Sequence, residues 1–278
     1  YIRICSAGAV FIIAYNVLGS IFRGIGDSRM PLFTVAAACV FNIGGDLLLV
    51  AGFHMGAAGA ALATVAAQAA SVLLSLAVIR RRTLPFTIGK KNLRFERRLV
   101  GRILALGTSI ALQDLLVSIS FLVILAIVNS MGVIASAGVG VAEKLCAFIM
   151  LVASAYMQSM SAFVAQNMGA GKPERAKRAL LYGIGTSLMA GVTLFYFSFF
   201  HGDAMAGIFA RDPQVVAAAA DYLKAYAIDC ILTSFLFCFV GYFNGCGKTF
   251  FVMVQGIVGA FCVRIPVSWF MSRMAGVT

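Results

Sequence analysis

A few side chains able to carry charge lie inside long apolar runs of this sequence: Asp46, Asp114, the adjacent pair Glu143 and Lys144, Asp229 and Arg264. An Asp, Lys or Arg at the centre of a membrane helix costs about 2.5–3.5 kcal/mol on insertion scales. Such residues face an interior or a watery cavity and are functional candidates by default. Asn42 and Asp46 are four residues apart, so both project from one face of a helix. Thr64 follows in the next apolar run, within Gly59-Ala-Ala-Leu-Ala-Thr64, whose small residues let two helices approach closely. One carboxylate, one amide oxygen and one hydroxyl suit a hard monovalent cation such as sodium. A carboxyl group that gains and loses a proton suits proton coupling equally. The competing reading is an interhelical hydrogen bond that only holds helices together, and these residues alone leave the two open.

Asp229, Asp114 and Glu143 form a second candidate set, for a cation or for a cationic substrate. Glu143 and Lys144 are neighbours in sequence and so point to different sides of their helix. Arg264, just before Pro266, is placed to neutralise one of the acids. Structural ion pairing competes with transport chemistry at each of them. The 23 phenylalanines and 12 methionines suit an adaptable apolar cavity wall, although most such side chains face lipid or other helices.

Other chemistries fail on spacing. Gly245-Cys-Gly-Lys-Thr249 lacks the first glycine of a phosphate-binding loop, because position 242 is Tyr, and no strand precedes it. Gly169-Ala-Gly-Lys-Pro173 fails because proline stands where Ser or Thr is needed. Both read as helix-ending turns whose glycines take positive φ. The two histidines, His54 and His201, fall in connectors, and no Ser/His/Asp set is visible, so no enzyme is expected. The seven cysteines are scattered without zinc-like spacing. No cofactor and no metal beyond a sodium ion is expected.

The elements that carry these residues follow from composition. Hydrophobic residues make up 62% of the chain and charged residues 12%, against about 25% charged in soluble domains. Too few charges remain to coat a water-facing surface. The net charge of +12 sits in short stretches between apolar runs, as membrane loops carry it, so no nucleic-acid partner is expected. Crossing a bilayer takes about 20 apolar residues. Eight runs qualify, at 5–22, 31–52, 57–79, 103–128, 135–163, 180–200, 222–243 and 249–272. Period-2 alternation is absent, so they are expected to be helices.

Alternate connectors are basic: Arg23 and Arg29; Arg80 to Arg102; Lys172, Arg175, Lys177 and Arg178; then Lys248. The connectors between them are nearly bare. Basic loops mark the cytoplasmic side, so the first span runs inward and the last outward. The segment 80–102 is read as a basic cytoplasmic linker able to meet anionic lipid. It separates residues 1–79 from residues 103–278.

Laying Tyr1 on Tyr222 aligns the start of the chain with its end without a gap. Phe22-Arg-Gly-Ile-Gly-Asp-Ser28 then falls on Phe243-Asn-Gly-Cys-Gly-Lys-Thr249. Each copy ends an inward-running span, which makes a parallel repeat of six helices. Two such units would total twelve helices and roughly 440 residues. The first residue is not methionine and neither end carries a tail, so the chain is expected to hold the fourth to eleventh helices of that whole.

Several stretches resemble the multidrug and toxic compound extrusion (MATE) family: Arg23-Gly-Ile-Gly-Asp-Ser-Arg-Met-Pro31, Asn42 to Asp46, Gly56 to Thr64, Gln166-Asn-Met-Gly-Ala-Gly-Lys172, Gly245 to Thr249 and Arg264-Ile-Pro266. They run in family order over the whole chain, with a prokaryotic flavour. The resemblance implies an all-α polytopic fold of two six-helix lobes around a V-shaped cavity. On this reading residues 1–79 are the last three helices of the N-terminal lobe, and residues 103–278 are the C-terminal lobe without its last helix. It implies antiport of sodium or protons against small organic cations in the cell membrane, by a monomer. It assigns a first-lobe cation site to Asn42, Asp46 and Thr64, together with an acid on the first helix. Asp229 matches the helix that carries a second-lobe carboxylate in some relatives. Asp114 lies on the other such helix at a different offset, and Thr108 stands where relatives often have proline. The rival expectations are a flippase for lipid-linked substrates, which would need a more cationic cavity, and a membrane scaffold that transports nothing.

Overall fold

A computed structural model describes residues 1–81, 96–130 and 132–275. Every regular element among them is helical. In chain order they are α1 (Ile2–Ala7), α2 (Ala9–Ile25), α3 (Arg29–Asp46), a π-helical segment Leu47–Gly52, α4 (Gly56–Arg81), α5 (Arg97–Asn129), α6 (Val133–Gly169), α7 (Pro173–Phe200), α8 (Gly202–Gly207), α9 (Pro213–Gly245), α10 (Thr249–Val258), a second π-helical segment Gly259–Arg264, and α11 (Ile265–Ala275). The chain divides into two compact units, Tyr1–Phe95 and Glu96–Thr278. Most of the expected linker, residues 82–95, lies outside the described residues.

Seven helices among the described residues are long and apolar enough to cross a membrane, where the sequence pattern counts eight. The difference is the first run. Gly8 interrupts it, leaving α1 of 6 residues and α2 of 17 residues, short of the roughly 20 a span requires. A side chain on Gly8 would collide with the branched Val65 side chain of α4. The glycine thus sits where two helices touch, and it is also the residue least costly to bend.

In the first unit α4 is the central helix, packed on α3, α2 and α1. Small side chains set the spacing. A methyl on Gly45 would stand 2.9 Å from Ala63 Cβ, and one on Gly59 would stand 3.1 Å from Leu49 Cβ. Ala61 is fully buried and Ala63 is 2% exposed. Contacts 45·63 and 49·59 run in opposite senses, so α3 and α4 are antiparallel.

In the second unit α6 and α9 form the tightest pair. Gly241 and Gly245 are four apart on α9, a spacing that brings helix backbones close. A methyl on Gly241 would stand 2.5 Å from the Met157 carbonyl oxygen, and one on Gly245 would stand 2.7 Å from that of Ser161. At the other end Gly138 abuts Ala218. These contacts climb both helices together, so α6 and α9 run parallel. α7 packs antiparallel on α9, and α5 packs on α10 and α11. Large apolar side chains such as Phe33, Phe41, Leu73, Met189 and Phe250 point outward, the pattern of a surface solvated by lipid.

The internal repeat is visible in the turns. α2 ends on Gly26 at φ 93, with Gly26 N donating to Arg23 O at 3.1 Å and Asp27 N to Phe22 O at 3.0 Å. α9 ends before Gly247 at φ 75, with Gly247 N donating to Asn244 O at 3.0 Å and Lys248 N to Phe243 O at 2.9 Å. Each bond falls on its counterpart when Tyr1 is laid on Tyr222. Gly171, at φ 68, closes α6 the same way, Lys172 N donating to Asn167 O at 2.8 Å. Both apparent phosphate loops are therefore left-handed helix caps that satisfy the last carbonyls.

Candidate cation site

α3 delivers Asn42 and Asp46 to the seam with α4, and α4 delivers Thr64. Asn42 Nδ2 donates to Thr64 Oγ1 at 3.4 Å, and Thr64 Oγ1 donates to the Ala60 carbonyl at 2.9 Å. Thr64 has thereby spent its proton and one lone pair, and one lone pair is left to accept. Asn42 has used its NH2 end, so its amide oxygen is available. Asp46 is the last residue of α3, where the helix widens into the π-helical segment. One of its carboxylate oxygens, Oδ1, is sealed from solvent and has no hydrogen-bond partner.

That orphan oxygen matters energetically. A buried carboxylate is tolerated when a counter-charge or a proton meets it, and an unsatisfied buried polar atom calls for a specific explanation such as an ion. The first unit has one other such atom among the described residues, Gln68 Oε1 on α4. Gln68 was not singled out from sequence, although its place four residues after Thr64, on the same helix face, was the available signal.

In the second unit Glu143 is half-buried on α6 while Lys144 is exposed, as adjacent helical residues should differ. Asp229 is half-buried on α9. Arg264 lies within electrostatic reach of Asp229, and Glu143, Asp229 and Arg264 each lie within electrostatic reach of Tyr222. The Arg264 guanidinium carbon also stands 4.4 Å from the centre of the Phe121 ring on α5. Asp114 is not gathered in. It is exposed on α5, and its backbone carbonyl accepts from Ser118 Oγ at 2.7 Å. Among the described residues no three His, Cys, Asp or Glu side chains come together as they would for a transition metal.

The MatE family model matches residues 109–270. This chain belongs to the MatE family. Among its relatives is the probable multidrug resistance protein YpnP of Bacillus subtilis (strain 168), 28% identical over 277 residues, covering 99% of this chain and 62% of the relative. The multidrug export protein MepA of Staphylococcus saprophyticus is 25% identical over 282 residues, covering 100% of this chain and 61% of the relative. The crystal structure of MATE in complex with MaL6 superposes with a TM-score of 0.92 at 20% identity, over 98% of this chain and 62% of that one. The chain thus spans about 62% of the length of its first relative. With seven membrane-length apolar helices among its described residues, this MatE chain is an all-α, multi-pass membrane protein.

Proposed function

We propose that the protein to which this chain belongs is a secondary active exporter, moving small organic cations out across the cell membrane in exchange for sodium or protons. It is a transporter and not an enzyme. The observation that carries the reading is the sealed, partnerless Asp46 Oδ1 beside the Asn42–Thr64 hydrogen bond. The names of the relatives, a probable multidrug resistance protein and a multidrug export protein, support the substrate class.

The exchange follows from charge. With Asp46 ionised and unpaired, closing apolar surface around it is costly. A cation held by Asp46 Oδ1, Asn42 Oδ1 and Thr64 Oγ1 would neutralise the carboxylate and lower that cost. The arrangement that encloses the site is therefore favoured when a cation is present, and the opposing arrangement when drug is bound. Each ligand acts only through its difference in affinity for the two arrangements. Glu143, Asp229 and the aromatic side chains of the second unit supply the complement a cationic drug requires.

The test places the full-length protein in proteoliposomes and follows efflux of a cationic dye under a sodium gradient, then a proton gradient. Asp46→Asn is expected to abolish gradient-driven efflux while leaving folding intact. Coupled efflux at the wild-type rate in that variant would sink the reading.

A further inference from the structure

α7 carries Arg178, Tyr182, Gly185, Met189, Val192 and Tyr196 at spacings of four, three, four, three and four, which puts them on one helix face. The opposite face is the packed one. Ala176, Ser187, Gly191 and Ser198 are buried, with Ala176 packed on Met160 and Val164 of α6 and Gly191 against Ser234 of α9. The stripe points outward: Tyr182 is 76% exposed and Met189 72%. It also contains a notch. Nothing lies within 4 Å of the place a side chain on Gly185 would take, while Tyr182 and Met189 stand about one turn to either side.

Length places this stripe in the bilayer. α7 has 28 residues, about 42 Å at 1.5 Å per residue, the thickness of a bilayer with its headgroups. Arg178 and Tyr196 are about 27 Å apart along the axis, close to the roughly 30 Å of the hydrocarbon core. Each end of the stripe therefore meets a headgroup layer, and the Arg178 end is on the side that the basic connectors mark as cytoplasmic. The charges there are not balanced within the helix. The single acid of α7, Glu174, accepts from Lys177 Nζ at 2.8 Å, which leaves Arg175, Arg178 and the N-cap Lys172 in excess, all exposed. The Arg175 guanidinium lies over the Phe163 ring of α6, 5.6 Å from its centre, and a stacked guanidinium keeps its N–H edge free for an anion. Helix side chains lean toward the N-terminus, so Arg178 leans into the headgroup layer and Tyr182 leans toward Arg178.

We propose that this face of α7 binds one anionic phospholipid of the cytoplasmic leaflet. Its phosphate sits between Arg175 and Arg178, the Tyr182 hydroxyl donates to the glycerol ester beneath it, and an acyl chain lies in the notch over Gly185. Arginine offers phosphate its N–H donors in a fixed fork, and basic clusters at the cytoplasmic end of a span attract anionic lipid. A soluble anion would satisfy the two arginines but has no use for the apolar stripe. A further helix would cover the stripe but brings no anion to the arginines. A lipid meets both demands in one register, because its head and chain join at the depth where the arginines end and the stripe begins.

The test titrates the delipidated full-length protein in detergent with dioleoyl phosphatidylglycerol and reads the first bound lipid by native mass spectrometry. Dioleoyl phosphatidylcholine, with the same chains and a neutral headgroup, is the comparison and is expected to bind more weakly. Arg175→Gln combined with Arg178→Gln is expected to weaken the first phosphatidylglycerol about thirtyfold, from about fivefold per arginine at a membrane surface. Gly185→Leu fills the notch, keeps both arginines and is expected to weaken it as well. Arg97→Gln combined with Arg98→Gln removes the same charge from α5 on the same side and is expected to leave it unchanged. Thermal unfolding checks that each variant is folded. Equal weakening by the two arginine pairs would reduce the effect to general surface charge and overturn the proposal. Unchanged binding in Gly185→Leu, or displacement of the lipid by inorganic phosphate, would make this an anion pocket and overturn the lipid assignment. A wild type with no preference for phosphatidylglycerol would show that something other than an anionic lipid covers the face.

Discussion

The helix contacts of the second unit give a graded packing prediction built on Gly241 of α9 and on Gly183 and Gly185 of α7. A methyl added at Gly241 would stand 2.5 Å from the Met157 carbonyl oxygen and 3.1 Å from its Cα. Carbon–oxygen contacts in helix interfaces settle near 3.3–3.6 Å, so the helices must part by about 0.8 Å. A gap of that size forfeits about a quarter to a half of the dispersion energy of the atoms it separates. The neighbouring close contacts at Gly245 and Gly138 share the loss. Gly241→Ala should therefore cost about 3 kcal/mol, the upper part of the overpacking range. Gly183→Ala meets only the end of the flexible Met160 side chain and should cost less than about 1 kcal/mol. At Gly185 nothing lies within 4 Å, and alanine should be neutral or up to about 1 kcal/mol stabilising. The assay is thermal unfolding of the purified full-length variants, together with maleimide labelling of Cys238, which is fully buried on α9. Gly241→Ala should unfold first and label fastest. Equal stability of Gly241→Ala and Gly185→Ala would refute the claim that backbone approach sets the spacing of α6 and α9.

Two further outcomes follow from single residues. Gly247 takes φ 75, so Gly247→Ala should lower stability by about 1 kcal/mol and Gly247→Asn by less, since asparagine enters the left-handed region more readily; thermal unfolding of the pair reads this directly. Arg264 lies over Phe121 and acts on Asp229, so Arg264→Met should weaken folding by about 0.5–2 kcal/mol, and adding Asp229→Asn should recover part of the loss because the acid is then no longer left uncompensated. Strict additivity in that double-mutant cycle would show that the two charges do not interact.

Much of this fold was legible because the bilayer forces a simple code. Apolar runs long enough to span, interrupted by basic connectors, become helices since nothing else satisfies the backbone in lipid. The turn at Gly26 and its counterpart at Gly247 were legible for a similar reason: a glycine after a long apolar run, followed by a polar residue, is a helix cap. The break at Gly8 was not legible. The chain has 28 glycines, and nothing in the sequence marks Gly8 as the one that stands against Val65, more than fifty residues later. The two π-helical segments were equally hidden. Their widened turns begin after Asp46 and end on Arg264, which ties both to charged residues in the apolar runs, and π turns gather at functional sites.

The proposed cation site was half legible for a physical reason. Asn42 and Asp46 announce themselves because a carboxylate and an amide one helical turn apart are conspicuous in an apolar run. Gln68 is quieter: a single amide in an alanine-rich helix is as easily a lipid-boundary or packing residue. What distinguishes it is the face it occupies, and that face is fixed only by the bonds from Asn42 to Thr64 and from Ser71 to Thr34. A packing role for Gln68 would need its oxygen to find a donor, yet the oxygen is sealed from water and has no hydrogen-bond partner. A purely adhesive role for Asp46 meets the same difficulty, because an adhesive hydrogen bond would engage the oxygen that stands unpartnered. Adhesion in this seam is already provided by Gly45 against Ala63 and Gly59 against Leu49. The polar residues are therefore surplus to packing, and the unmatched oxygen of Asp46 is better explained by a positive ligand than by the helices it joins.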